Sequence, residues 1–130
     1  MGTMRPLRLL ILLALAGCIN CSHATVIAFP ASPNPNGCYV IVFDQPKFLG
    51  IQDVWNGPGR WSALDGLQRV RSEGWRDQIR SLRVGPGAMV TVFTEETFHG
   101  TSRQFAADAD HPELDVRFSG KIESVQLACR

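Results

Sequence analysis

No stretch of this chain is apolar for long enough to cross a bilayer. Its longest apolar run, Leu9-Leu-Ile-Leu-Leu-Ala-Leu-Ala16, has eight residues, where a membrane-spanning helix needs about twenty. Charge of one sign is lacking too. Thirteen Lys and Arg face twelve Asp and Glu, a net charge of +1 that falls to −1 once Arg5 and Arg8 leave with a leader. That balance gives no reason to expect nucleic acid as a partner. Histidine is sparse and scattered, at His23, His99 and His111, and neither Gly-x-Ser-x-Gly nor His-Glu-x-x-His occurs. The signatures of common hydrolases and zinc proteases are therefore missing, and an enzyme is not expected. Sustained 3.6-residue periodicity is absent, which argues against a helical domain. What remains, at 45% hydrophobic and 19% charged over 130 residues, is the composition of one folded domain.

The chain opens with a leader over 1–17. Arg5 and Arg8 supply its positive start and the eight-residue run its apolar core. Leu15-Ala16-Gly17-Cys18 resembles the bacterial lipobox, in which small residues precede a Cys that is acylated and becomes the new N-terminus. On that reading Cys18 carries the lipid, and Ile19, not being Asp, favours the outer membrane. A rival cut after Ser22-His23-Ala24 would release a soluble chain starting at Thr25, leaving Cys38 and Cys129 as the only thiols. Either route takes the protein out of the cytoplasm. Residues 18–37, with Pro30, Pro33 and Pro35 among Ser and Asn, read as a tether that resists helix formation.

From 38 onward the pattern is that of short strands. Cys38-Tyr-Val-Ile-Val-Phe43 is almost wholly apolar and β-branched or aromatic, suiting a strand buried against a second sheet. Turn chemistry follows at Asp44-Gln-Pro-Lys47 and Gly57-Pro58-Gly59, and again at Gly85-Pro86-Gly87. Further strands are expected over 78–84, 88–93, 101–106 and 121–129. A short helical or irregular crossing is expected at 64–67, and a loop or single helical turn at 108–115. The fold class is all-β.

The chain repeats itself. Phe43-Asp-Gln-Pro-Lys-Phe48-Leu-Gly50 is echoed by Phe93-Thr-Glu-Glu-Thr-Phe98-His-Gly100, and Ile79-Arg-Ser81-Leu is echoed by Ile122-Glu-Ser124-Val. Aromatic, four residues, aromatic, one residue, Gly, then a distant Ser, all present twice, resembles the paired Greek-key motifs of a βγ-crystallin domain. The resemblance covers roughly 38–129 and implies a β-sandwich. It also implies a structural role for these residues. Phe43 and Phe93 cover a hairpin that folds back on the sheet. Gly50 and Gly100 permit close backbone approach, and Ser81 and Ser124 hydrogen-bond the folded backbone. Cys38 and Cys129, in the first and last strands of the unit, are expected to form a disulfide. Closing that loop is worth about 4–5 kcal/mol in the chain-entropy model.

Microbial members of that family often bind calcium through a loop of two Asn/Asp, two variable residues, Ser/Thr and Ser. The matching stretches are Arg76-Asp77-Gln78-Ile79-Arg80-Ser81 and Ser119-Gly120-Lys121-Ile122-Glu123-Ser124. Asp77 and Glu123 are the weak candidate ligands. Arg76 and Arg80 stand where oxygen donors are needed, and a guanidinium cannot ligate a cation. No cofactor is expected, and a calcium-binding module is disfavoured. The Arg cluster at 69, 71, 76, 80 and 83 reads as a solvated face answered by Asp108, Asp110, Glu113 and Asp115. Trp55, Arg60 and Trp61 flank a Gly-Pro-Gly loop of a composition enriched at binding hot spots. Packing of both rings into the core is the alternative. The function expected is a non-catalytic structural or binding module at the cell envelope, with the membrane as a partner through the lipid anchor. An envelope or secreted protein is a further partner, and inhibition of a protease or other hydrolase is the second reading.

Overall fold

Alternation of β-branched and polar residues builds this domain from strands that each bury one face. A computed structural model describes residues 32–70 and 73–130. The leader, Cys18, Cys21, the Ala24 cut and Arg71 lie outside the described residues. Among the described residues ten strands follow in order. They are β1 (Tyr39–Phe43), β2 (Gln52–Asn56), β3 (Gly59–Trp61), β4 (Gln68–Val70), β5 (Glu73–Gly74), β6 (Ser81–Val84), β7 (Ala88–Glu95), β8 (His99–Phe105), β9 (Asp110–His111) and β10 (Ser124–Cys129). Helical structure among the described residues is confined to three-residue 3-10 turns at Pro46–Phe48, Leu64–Gly66 and Glu96–Phe98.

The strands form two four-stranded antiparallel sheets, ordered β2-β1-β6-β9 and β3-β10-β7-β8, with β4-β5 as a separate hairpin. Each sheet takes three strands from its own half of the chain and one from the other half. Strand β3 pairs with β10, Val125 opposite Trp61, and β9 pairs with β6, Leu82 opposite His111. Neither half is therefore complete without the other.

The inner faces meet in one core. Val40, Val42, Leu82 and Val84 from the first sheet face Val90, Val92, Val125 and Leu127 from the second, all buried. Trp75, Phe105, Phe118, Leu64, Ile79 and Ile122 fill the same cluster. Each such side chain contributes about 1.5–3 kcal/mol by leaving water.

Three expectations need correction. The 108–115 segment is neither loop nor helical turn throughout, since β9 lies within it, held by the Val84 N–H donating to the Ala109 carbonyl at 2.8 Å. Two paired residues carry no periodicity of their own, so only the partner strand defines them. The strands expected over 78–84 and 121–129 begin only at Ser81 and Ser124, because the Gln78 N–H turns to the Trp75 carbonyl at 3.1 Å and the Lys121 N–H to the Phe118 carbonyl at 2.9 Å.

The end of the tether is tied down. The Asn34 N–H donates to Asn56 Oδ1 at 2.8 Å, Asn56 Nδ2 donates to the Ser32 carbonyl at 3.0 Å, and the Gly87 N–H donates to the Gly37 carbonyl at 3.0 Å. Cys38 and Cys129 are joined by a disulfide across a Cα separation of 5.3 Å, within the range a bridge requires. The Arg130 N–H donates to the Gly87 carbonyl at 2.9 Å. Chain entry, chain exit and the clasp thus share one pole of the sandwich.

Candidate functional site

The repeated motif forms two folded hairpins of near-identical geometry. In the first, Lys47 and Phe48 take φ of 61° and 60° and Gly50 takes 79°; in the second, Thr97, Phe98 and Gly100 take 55°, 62° and 81°. Consecutive non-glycine residues in the left-handed region cost of order 1–3 kcal/mol each, so the surroundings must hold them there. A buried serine does so in each motif. Ser81 Oγ accepts the Phe48 N–H at 3.1 Å and donates to the Gln45 carbonyl at 2.6 Å. Ser124 Oγ accepts the Phe98 N–H at 3.1 Å and donates to the Glu95 carbonyl at 2.6 Å. Phe43 meets Phe48 edge-on at 5.5 Å, and Phe93 meets Phe98 at 5.6 Å. A Cβ on Gly50 would overlap Asp44 Oδ1 and the Gln45 side chain, and one on Gly100 would crowd Thr94 Oγ1.

Each hairpin is also latched by the opposite half of the chain. The Lys47 N–H donates to the Pro112 carbonyl at 2.7 Å, just beyond β9, and the Thr97 N–H to the Ser62 carbonyl at 2.8 Å, just beyond β3. An arginine covers each second aromatic, Arg83 over Phe48 at 4.0 Å and Arg60 over Phe98 at 4.6 Å. Sequence reasoning missed these latches, because both acceptors are backbone carbonyls and carry no residue signature.

The loops that precede the two serines hold guanidinium groups. Arg80 Nη1 donates to the Asp44 carbonyl of the first hairpin at 3.1 Å and to the Gln78 carbonyl of its own loop at 3.2 Å. Gly120 of the second loop leaves room for that guanidinium, since a Cβ there would stand 3.2 Å from Arg80 Nη2. Arg76 lies among three carboxylates, 3.1 Å from Glu96, 3.2 Å from Glu123 and 3.9 Å from Asp77. The Glu123 hydrogen bond and charge raise the Arg76 pKa further above its ordinary value. Burial, then the charge of Glu123, pushes the Asp77 carboxyl up, and Arg76 only partly offsets this. Oxygens able to attract a cation are thus already engaged by permanently charged side chains. Among the described residues no group of three or more His, Cys, Asp or Glu is disposed to hold a metal ion.

The expected solvated Arg face is not one face. Arg69 is nearly buried, with Nη1 on Asp44 at 2.7 Å and Nη2 on Glu73 at 2.8 Å. Asp44 Oδ1 meanwhile accepts the Ile51 N–H at 2.8 Å, so this ion pair braces the first folded hairpin. Of the described members of the cluster, only Arg83 reaches one of the four expected partners, Asp110, at 3.9 Å. Asp115 pairs instead with Arg117 at 3.1 Å, and hydrogen bonds from Arg117 hold its carboxyl below the usual range. Neighbours in sequence point to different faces of a strand protein, which is why the grouping failed.

The Trp55–Trp61 loop faces inward. Trp55 is 5% exposed, and its ring lies 5.3 Å from Trp61 and 6.1 Å from the fully buried Trp75. Trp55 Nε1 donates to Asp53 Oδ2 at 2.9 Å. Trp61 packs partly buried against the core and over Gly59, while the exposed Arg60 lies on Phe98. The alternative of core packing therefore holds for Trp55, and of Trp55, Arg60 and Trp61 only Arg60 is exposed. His99 stands exposed on β8 with Nδ1 2.9 Å from Thr97 Oγ1.

The whole arrangement has counterparts among solved structures. A domain connected with the evolution of the eye-lens βγ-crystallin fold superposes with a TM-score of 0.65 at 21% identity, over 77% of this chain and 94% of that one. The fold is that of a βγ-crystallin domain. Another such domain, from Flavobacterium johnsoniae, matches with a TM-score of 0.58 at 19% identity, over 70% of this chain and 94% of its own. The N-terminal domain of protein S matches at 0.59 and 22% identity, over 70% of this chain and 96% of its own. No family model and no curated protein matches the sequence. At these identities the likeness concerns the βγ-crystallin fold alone.

Proposed function

We propose that this chain is a non-catalytic βγ-crystallin-type module that works outside the cytoplasm, held at the envelope by a lipid on Cys18. The observation that carries the reading is the Cys38–Cys129 disulfide, which closes 91 residues of sequence separation at the pole where the tether enters. Such a bond persists in oxidising compartments, in keeping with the leader and with Leu15-Ala16-Gly17-Cys18. Fixing the tether to the clasped pole leaves the opposite pole, with its Arg76–Glu96–Glu123 cluster, free to meet an envelope or secreted protein. The balanced charge of the chain gives nucleic acid no hold.

Inhibition of a hydrolase has less support, because such an inhibitor needs a rigid exposed loop and the Trp55 ring is turned into the core. A calcium-binding role is disfavoured by the guanidiniums of Arg76 and Arg80 at the two loops. Mass spectrometry of the mature N-terminus tests the anchored reading. A diacyl or triacyl mass on Cys18 supports it, whereas an unmodified Thr25 terminus ends it in favour of a soluble exported protein.

A further inference from the structure

The strand that the second half lends to the first sheet, β9, is only two residues long and carries His111. His111 lies edge-on to the Phe105 ring at 4.5 Å, and its Nε2 is buried without a hydrogen-bond partner. The Arg103 guanidinium also sits over the Phe105 ring, at 4.7 Å. Phe105 itself is 1% exposed and belongs to the core.

From this arrangement we infer that His111 is an acid-sensitive latch: neutral, it lets β9 close the first sheet, and protonated, it drives β9 off the β6 edge. The imidazolium carries an N–H on both nitrogens, whichever tautomer precedes it. One of those donors would then be charged, buried and without an acceptor, beside a second cation. A buried donor left unmatched is costly, and a charged one more so.

The two charged groups that act on His111 oppose each other. Arg103 on β8 opposes a second positive charge, and Asp110 on β9 favours one, but Asp110 already faces Arg83 of β6 at 3.9 Å. In the chain around β9, Asp115 is held by Arg117, Asp108 precedes the strand and Glu113 follows it, and Lys47 of the first hairpin is joined to Pro112 through its backbone N–H. Burial first, then Arg103, lowers the His111 pKa below its ordinary 6.5, with Asp110 opposing. A histidine lowered on folding contributes stability above its unfolded pKa, and that stability is lost as pH falls through 6.5 toward the folded value.

What opens is defined by the bonds of the residues that flank β9. The Val84 N–H loses the Ala109 carbonyl, the Leu114 N–H loses the Arg80 carbonyl, and the Lys47 N–H loses the Pro112 carbonyl that latches the first hairpin. Acid would therefore loosen one hairpin selectively, because the second is latched by Ser62.

The test combines titration with hydrogen exchange on the purified protein. The ring protons of His111 are followed by NMR, and exchange at Val84 and Leu114, corrected for intrinsic rates, is compared at about pH 7.5 and about pH 5. The expected result is a His111 midpoint below 6.5, with protection at Val84 and Leu114 falling about tenfold or more on acidification while Val125 in β10 keeps its protection. His111→Gln removes that acid-dependent loss, and Arg103→Gln raises the His111 midpoint. A midpoint at or above 6.5 in the folded protein overturns the proposal, as does an unchanged acid response in His111→Gln.

Discussion

Replacing Ser81 or Ser124 by Ala takes away one hydroxyl and, with it, both hydrogen bonds that span a folded hairpin. Each Oγ is buried and bridges an N–H at 3.1 Å and a carbonyl at 2.6 Å. A net bond is worth about 0.5–1.5 kcal/mol, and partners left buried raise the loss, so each substitution should cost about 1–3 kcal/mol. With a urea m-value of about 1–2 kcal/mol/M for a domain of this size, the midpoint should fall by about 1–2 M. The two sites lie in separate motifs, so the double variant should lose about the sum. Equilibrium urea unfolding followed by tryptophan fluorescence measures this directly. The first hairpin carries an additional brace, the Arg69–Asp44 pair, so Ser81→Ala should be no more costly than Ser124→Ala. A midpoint within about 0.2 M of wild type for both variants would refute the claim that these hydroxyls hold the strained hairpins.

Further outcomes follow from other contacts. Gly50→Ala and Gly100→Ala should each destabilise by about 1–3 kcal/mol, since both residues have positive φ and a Cβ meets neighbouring side chains; thermal melts check this. Reducing Cys38–Cys129 should cost up to about 4–5 kcal/mol, seen as a lower urea midpoint in reductant; an unchanged midpoint would contradict the clasp. Asp44→Ala strips Arg69 of its nearly buried partner and frees the Ile51 N–H, a loss of about 2–4 kcal/mol readable by the same denaturation. Calcium should leave the melting temperature unmoved and give no titration heat at micromolar concentration; heat that disappears in Asp77→Ala would reverse this reading.

Much of the fold was legible because the motif is local. Phe43, Phe48 and Gly50 stand within eight residues, their echoes lie fifty residues on, and the spacing is imposed by the geometry of one hairpin. The serines, 33 and 26 residues from the backbone they hold, were legible through the paired repeat and its resemblance to the βγ-crystallin motif. The loop arginines could be judged as poor ligands from chemistry alone.

The inward turn of Trp55 was less accessible, because a Trp beside a Gly-Pro-Gly loop fits both a hot spot and a core. Spreading of the Arg cluster over different faces depends on strand twist and on partners such as Asp44, twenty-five residues before Arg69. His111 gave no signal by itself; its meaning comes from Phe105 and Arg103 on the opposite sheet.

The amino-acid sequence by itself determined the periodic strands and the two self-similar hairpins, because each depends on residue type at short range, and it set one cysteine at each end of the repeated unit. Tertiary structure alone decided which strands are exchanged between halves, which charges are buried and where β9 closes the first sheet. Those features are set by contacts between segments far apart in the chain, and their energy exists only once the sheets have met.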